Sequence, residues 1–300
     1  MTKSRLLTMA LAAVVLVAAF SGMAASSRKQ ITVASFNFSE TLIMAEIFKQ
    51  IVEANTDIQV RHVPNMEFRV VVSATQTGEI DAYVTYSGTQ FTTVLGQEVT
   101  EEWTDPKKVL GYARREVDRQ YGMTLLDPLG FDNTYAVAVR REFAEKHGLR
   151  TVSDLRPHAP NMVMATDQDF LYREEVMSYK NFVKVYDIKF RRAIAMTYGL
   201  LYRAVRSGDV DAIMAYSSDG RIASMNLVVL EDDKQFFPPY DAMFIIRNET
   251  LKKYPELRGV LDRLAGAIDQ ETAQKLNART DVDEVDPKIV ARDFLREKGL

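Results

Sequence analysis

Beyond its N-terminal residues the chain alternates between two hydrophobic periods at short intervals. Ile31 to Ser35 alternates and reads as a strand, a polar turn follows at Asn37 to Ser39, and Ser39 is the expected helix N-cap. From Glu40 to Ala54 the apolar residues Met44, Ile47, Phe48 and Ile51 recur at helical spacing, and Ile58 to Val63 returns to a strand. Strand, helix, strand is the opening of an open α/β sheet. Asp105-Pro106 starts another helix, marked by Val109, Ala113, Val117 and Tyr121, because proline suits the first helical turn. Tyr135 to Val139 is a compact strand, and Arg141 to His147 a short helix stopped by Gly148. Met162 to Ala165 then repeats the opening pattern: an apolar strand, a polar loop at Thr166 to Asp169, and a helix. Pro238-Pro239 cannot continue a central strand and marks a crossover, after which Ala242 to Ile246 is a last strand and the remainder reads as helices.

One decapeptide pattern occurs twice. Gly78-Glu79-Ile80-Asp81-Ala82-Tyr83-Val84-Thr85-Tyr86-Ser87 aligns without gaps on Gly208-Asp209-Val210-Asp211-Ala212-Ile213-Met214-Ala215-Tyr216-Ser217. In each copy a helix precedes the glycine and a strand follows Asp-Ala, so the repeat predicts two lobes of like topology. Ligands of open α/β sheets sit beyond the carboxyl ends of the strands. Tyr86 and Tyr216 end their strands and are expected on opposite walls of one cleft. The lobes are expected at residues 31–133 plus 240–300 and at residues 134–239, joined by a hinge.

Composition narrows the classes. Lys3 and Arg5, an apolar run from Leu6 to Phe20 and small residues through Ser27 form the three parts of a secretory signal peptide over residues 1–24. Cysteine is absent, so no lipid-accepting thiol and no disulfide exists, and a periplasmic protein that is not lipid-anchored is expected. Losing Lys3 and Arg5 takes the formal charge from −3 to −5, which argues against nucleic acid as a partner. The three histidines fall in no metal-ligand spacing, no glycine-rich phosphate cradle is present, and no nucleophile and base are convincingly paired. An enzyme is not expected, and neither is a cofactor or a metal.

Aromatic residues cluster near the predicted crossings and strand ends: Phe131, Tyr135, Tyr216, Phe236, Phe237 and Tyr240. Ring faces attract an alkylated ammonium, each contact contributing about 0.5–2 kcal/mol. Together with Asn37-Phe38-Ser39-Glu40, Tyr86-Ser87-Gly88-Thr89, Gly130-Phe131-Asp132-Asn133-Thr134-Tyr135-Ala136, Phe170-Leu171-Tyr172-Arg173, Tyr216-Ser217-Ser218-Asp219-Gly220 and the run from Leu230 to Tyr240, they make the mature chain resemble the osmoprotectant-binding proteins of ABC importers, those for glycine betaine, choline and carnitine. The resemblance implies a type II periplasmic binding protein fold: two α/β lobes, a hinge and an interlobe ligand cleft. It further implies a cage for a trimethylammonium group, with Tyr135, Tyr216 and Tyr240 as candidates beside Tyr86. Asn37, Thr89, Thr92 and Asn133 become polar-contact candidates, and Arg173 becomes a carboxylate anchor or a tie within its lobe. The implied partners are a small-molecule ligand and a membrane permease, and the receptor itself is expected to be a monomer.

Three positions depart from the pattern. Leu110 and Asp241 stand where relatives often carry aromatics, and the loop after Arg173 reads Glu174-Glu175-Val176-Met177. A carboxylate at Asp241 opens an alternative, the same receptor role for an amino acid, polyamine or guanidino compound. A partner-binding sensory protein remains a further reading of the same sequence.

Overall fold

The repeat in the sequence is a repeat in the fold. The computed structural model describes residues 29–98, 103, 105–172 and 177–300. The leader expected at residues 1–24 and the candidate Arg173 lie outside the described residues.

The first sheet contains β1 (Gln30–Ala34), β2 (Gln59–Val63), β3 (Ala82–Tyr86), β4 (Met123–Leu125) and β10 (Ala242–Arg247), in the order β2-β1-β3-β10-β4. The second contains β5 (Tyr135–Arg140), β6 (Val163–Thr166), β7 (Arg192–Ala195), β8 (Ala212–Tyr216) and β9 (Leu227–Val229), in the order β7-β6-β8-β5-β9. Each sheet has one antiparallel strand in the same place, β10 beside β3 and β5 beside β8. The two sheets are therefore one topology used twice, the first completed by a strand that returns after the second.

The repeated decapeptide performs the same work in both copies. Gly78 and Gly208 take left-handed backbone angles, φ 90° and 85°, and end helices Phe68–Thr77 and Tyr198–Ser207. Only glycine adopts that conformation without strain. The carboxylate of Asp81 then accepts from the Thr32 amide at 2.7 Å, and that of Asp211 from the Val163 amide at 2.8 Å, each pinning the following strand to its neighbour. Alternate residues of β3 face opposite cores, Ala82 and Val84 one cluster and Tyr83 another, so both sheet faces are covered and the strands are apolar throughout.

Helix α1 (Ser39–Asn55) buries Met44, Ile47, Phe48 and Ile51 against the first sheet and packs on the C-terminal helix Pro287–Lys298. Its N-cap is Phe38, one residue before the expected Ser39. Ser39 is instead the first helical residue, and its hydroxyl donates to Asp281 on helix α2 (Gln270–Asp281). Asp105 caps helix Pro106–Tyr121 as its position suggests, accepting from the Lys107 amide at 2.8 Å.

The chain passes between the sheets twice, and the two passages run antiparallel. Asp132 pairs with Asp241, the Asn133 amide donates to the Tyr240 carbonyl at 3.1 Å, and the Thr134 hydroxyl donates to the Pro238 carbonyl at 3.2 Å. Asp232 shapes the approach, accepting from the amides of Phe236 and Phe237 at 2.9 and 2.8 Å and from the Tyr186 hydroxyl. A third contact joins the halves: Gly220 lies so close to α2 that an added Cβ would sit 2.1 Å from the Ala278 nitrogen.

Candidate functional site

Because β3 and β8 end at the same level of their sheets, the loops beyond them face a shared cavity of about 1310 Å³. Lobe one contributes Asn37 from the loop before α1, Tyr86 from the end of β3, and Thr89 and Thr92 from the helical turns after it. The second sheet contributes Tyr135 and Tyr216, and the crossings contribute Asn133 and Tyr240. Eight of the residues singled out from the sequence thus meet at one place.

Register sets the aromatic wall. Tyr135 and Tyr216 are directly opposed on the antiparallel pair β5 and β8, so their side chains leave the same face. Their rings stack with centroids 5.0 Å apart and planes 20° from parallel. Tyr135 rests in turn on Phe170 at 5.2 Å and Phe237 at 6.0 Å, which fixes the stack against the lobe core. Phe131 and Phe236 belong to the two cores and not to the wall. Tyr240 lies over Gly88: a Cβ there would meet the Tyr240 ring and the Pro239 carbonyl at 2.8 Å. The glycine of Tyr86-Ser87-Gly88-Thr89 is therefore a seat for an aromatic ring from the second crossing.

The opposite end of the cavity is polar, and its centre is a residue the sequence reading left unassigned. Glu40 is 3% exposed and lines the cavity. Its carboxylate accepts from the Tyr86 hydroxyl, from Asn133 Nδ2 at 3.0 Å, from Asn277 Nδ2 at 2.9 Å and from the Ser218 side chain. Burial raises its carboxyl above the ordinary range, against the opposing pull of those four donors. Burial, together with the neighbouring Glu40 charge, holds the Tyr86 hydroxyl protonated far above its usual range. Asn133 Oδ1 has no hydrogen-bond partner among the described residues. The clue to Glu40 was periodic: it sits one helical turn before Met44, on the apolar stripe with Ile47, Phe48 and Ile51, where a carboxylate requires a built environment.

Asp241 does not line the cavity. Its backbone pairs with Asp132 and with Ser87, and its carboxylate accepts from the Ser87 hydroxyl at 3.4 Å. Burial and the nearby Asp132 raise its carboxyl, as expected of a hinge acid with no cation beside it. The Asp241 carboxylate, expected from the sequence to touch a ligand, is here placed on Ser87. Leu110 packs in the apolar cluster with Val117 and Leu125, away from the cavity wall.

The structure also assembles a hydroxyl, imidazole and carboxylate in line. Ser35 Oγ lies 2.7 Å from His62 Nε2, and His62 Nδ1 lies 2.7 Å from Glu46 Oε1. No sequence spacing announced this, since the three residues come from the position just after β1, from β2 and from α1. Ser35 is 0% exposed and outside the cavity, so the chain of bonds braces three elements and presents no nucleophile to a substrate. Among the described residues no group of three or more His, Asp or Glu is placed to hold a metal, and no helix is long and apolar enough to cross a membrane.

Comparison with known proteins agrees with this geometry. Residues 29–297 match the family described as the substrate binding domain of ABC-type glycine betaine transport system. The carnitine transport binding protein OpuCC of Listeria monocytogenes is 37% identical over 280 residues, 93% of this chain and 90% of the relative. The glycine betaine-binding protein YehZ of Escherichia coli is 28% identical over 273 residues, 87% of this chain and 88% of the relative. Among solved structures, a glycine betaine/carnitine/choline ABC transporter protein superposes with a TM-score of 0.86 at 33% identity, covering 90% of this chain and 98% of the other.

Proposed function

Because the chain belongs to the family of substrate-binding domains of ABC-type glycine betaine transport systems, we propose that it captures a quaternary-ammonium solute between its lobes and presents it to the permease of an importer. The observation behind this reading is the convergence of Tyr86, Tyr135, Tyr216 and Tyr240, from both lobes and a crossing, on one cavity. A trimethylammonium group cannot donate hydrogen bonds and is weakly hydrated, so ring faces hold it better than water-seeking ammonium groups. Tyr135, Tyr216 and Tyr240 are the cage in this reading. Asn37, Thr89, Thr92 and Asn133 supply polar contacts to the rest of the solute, and Arg173 to a carboxylate where one is present.

The cavity exceeds the roughly 300–1,000 Å³ of sites that enclose a small molecule, so a ligand touching both walls favours a narrower cleft by its contacts alone. The leader and the absence of cysteine support delivery to the periplasm as a protein without a lipid anchor. An amino acid, polyamine or guanidino compound held by Asp241 is the less favoured reading, because that carboxylate accepts from the Ser87 hydroxyl.

Thermal unfolding with choline, glycine betaine, carnitine and ergothioneine tests the proposal. A true ligand at roughly a hundredfold excess over its Kd stabilises by about 2.7 kcal/mol. Absence of stabilisation by all of them at millimolar concentration would overturn it.

A further inference from the structure

Aromatic cages can hold an ammonium group without a counter-charge, yet this cavity has a carboxylate built into its wall. Glu40 reaches the wall from the first turn of α1, and its partners come from four other places in the fold: Tyr86 at the end of β3, Asn133 in the first crossing, Ser218 after β8 and Asn277 in α2. All four are neutral donors. No lysine or arginine pairs with Glu40 among the described residues. The cation in the described lining, Arg221, is bound to Asp219 at 2.6 Å, and the remaining charged groups there, Glu98 and Asp281, are acids. A buried carboxylate surrounded by donors but without an opposite charge is costly to ionise, and a cation in the adjoining space relieves that cost.

We infer that Glu40 is the fixed counter-charge of the ligand's cationic group and makes the cavity favour a net cation of the choline class over a zwitterion. The inference rests on the proposed function and deepens it. Neutral donors orient the carboxylate and spread its charge without cancelling it, so its field extends across the polar end of the cavity. A choline-like ligand gains from that field with its whole charge. A zwitterion must place its own carboxylate in the same field, which offsets part of the gain.

The test is a ratio. Isothermal titration would compare choline with its neutral isostere 3,3-dimethylbutan-1-ol, and with glycine betaine, on the unaltered protein and on Glu40→Gln and Glu40→Asp. The expected result is that Glu40→Gln lowers the choline affinity at least about tenfold and narrows the choline-to-isostere ratio by a similar factor. Glu40→Asp, which keeps the charge, retains the ratio even where the shorter side chain weakens every ligand together. A role confined to bracing Tyr86 and Asn133 would weaken all three ligands equally in both variants and leave the ratio unchanged, overturning the inference. Should Glu40→Gln fail to fold, the unaltered protein and Glu40→Asp decide by their preference: choline bound no more tightly than glycine betaine by both would overturn it. Failure of the unaltered protein to bind any ammonium compound would instead remove the proposed function itself, and the counter-charge with it.

Discussion

Tyr86 and Tyr216 occupy the same position in two copies of one topology, and they are used differently. Tyr86 is 7% exposed, with its hydroxyl on Glu40, while Tyr216 is half-buried with its ring stacked on Tyr135. The difference lies on the neighbouring antiparallel strand. Opposite Tyr216 stands Tyr135, whereas opposite Tyr86 stands Ala242, which offers no ring to stack upon. At this pair of positions, therefore, lobe one presents a hydrogen-bonded hydroxyl and lobe two a stacked ring. A duplicated fold keeps its strand order through backbone requirements such as Gly78 and Gly208, and is free to diverge where side chains leave the sheet.

The largest expected break in that comparison is at Gly220, four residues after Tyr216, where lobe one has Gln90. Gly220→Ala drives a methyl group into the backbone of α2 and should cost about 3 kcal/mol of stability in urea unfolding. Next in size, Tyr135→Ala removes both a wall of the proposed cage and the ring that supports Tyr216, and should weaken choline binding about tenfold or more by calorimetry. Tyr216→Ala added to it should cost less than the two single changes combined, with a coupling of about 0.5–1.5 kcal/mol.

Smaller effects sharpen the lobe-one side. Tyr86→Phe leaves the Glu40 carboxylate short of one donor and should lower stability by about 1–2 kcal/mol in the same unfolding assay. The pH dependence follows from the raised carboxyl of Glu40. Between the unfolded pKa of about 4.3 and its higher folded pKa the folded chain keeps a proton there that the unfolded chain has released, so this group's contribution falls as pH rises through its folded pKa, above which the carboxylate is ionised. The stability difference between the unaltered protein and Glu40→Gln, measured from pH 4 upward, should therefore shrink or shift toward the variant as pH rises. Smallest of all, Asp241→Asn should leave choline affinity within about twofold, because the side chain meets the hinge and not the cavity.

Much of the fold was legible because it is written in local chemistry. Gly78, Gly208 and Gly148 end helices by backbone angle, Asp105-Pro106 starts one, and the strands declare themselves by apolar runs bounded by turns. The aromatic wall was legible through spacing, since Tyr135, Tyr216 and Tyr240 each sit at a strand end or crossing. Glu40 and Ser35 were left unassigned, and the Ser87 contact of Asp241 was not foreseen, because these contacts depend on neighbours distant in the chain. Glu40 meets Asn277, 237 positions away, and Asp241 meets Ser87, 154 positions away.

The paired passages between the sheets have one more consequence. Asn133 and Tyr240 are both cavity residues and both rungs of the ribbon that must bend when the halves approach. Cavity wall and interlobe ribbon thus share residues. A substitution at either position therefore alters the cavity wall and the ribbon between the sheets at once.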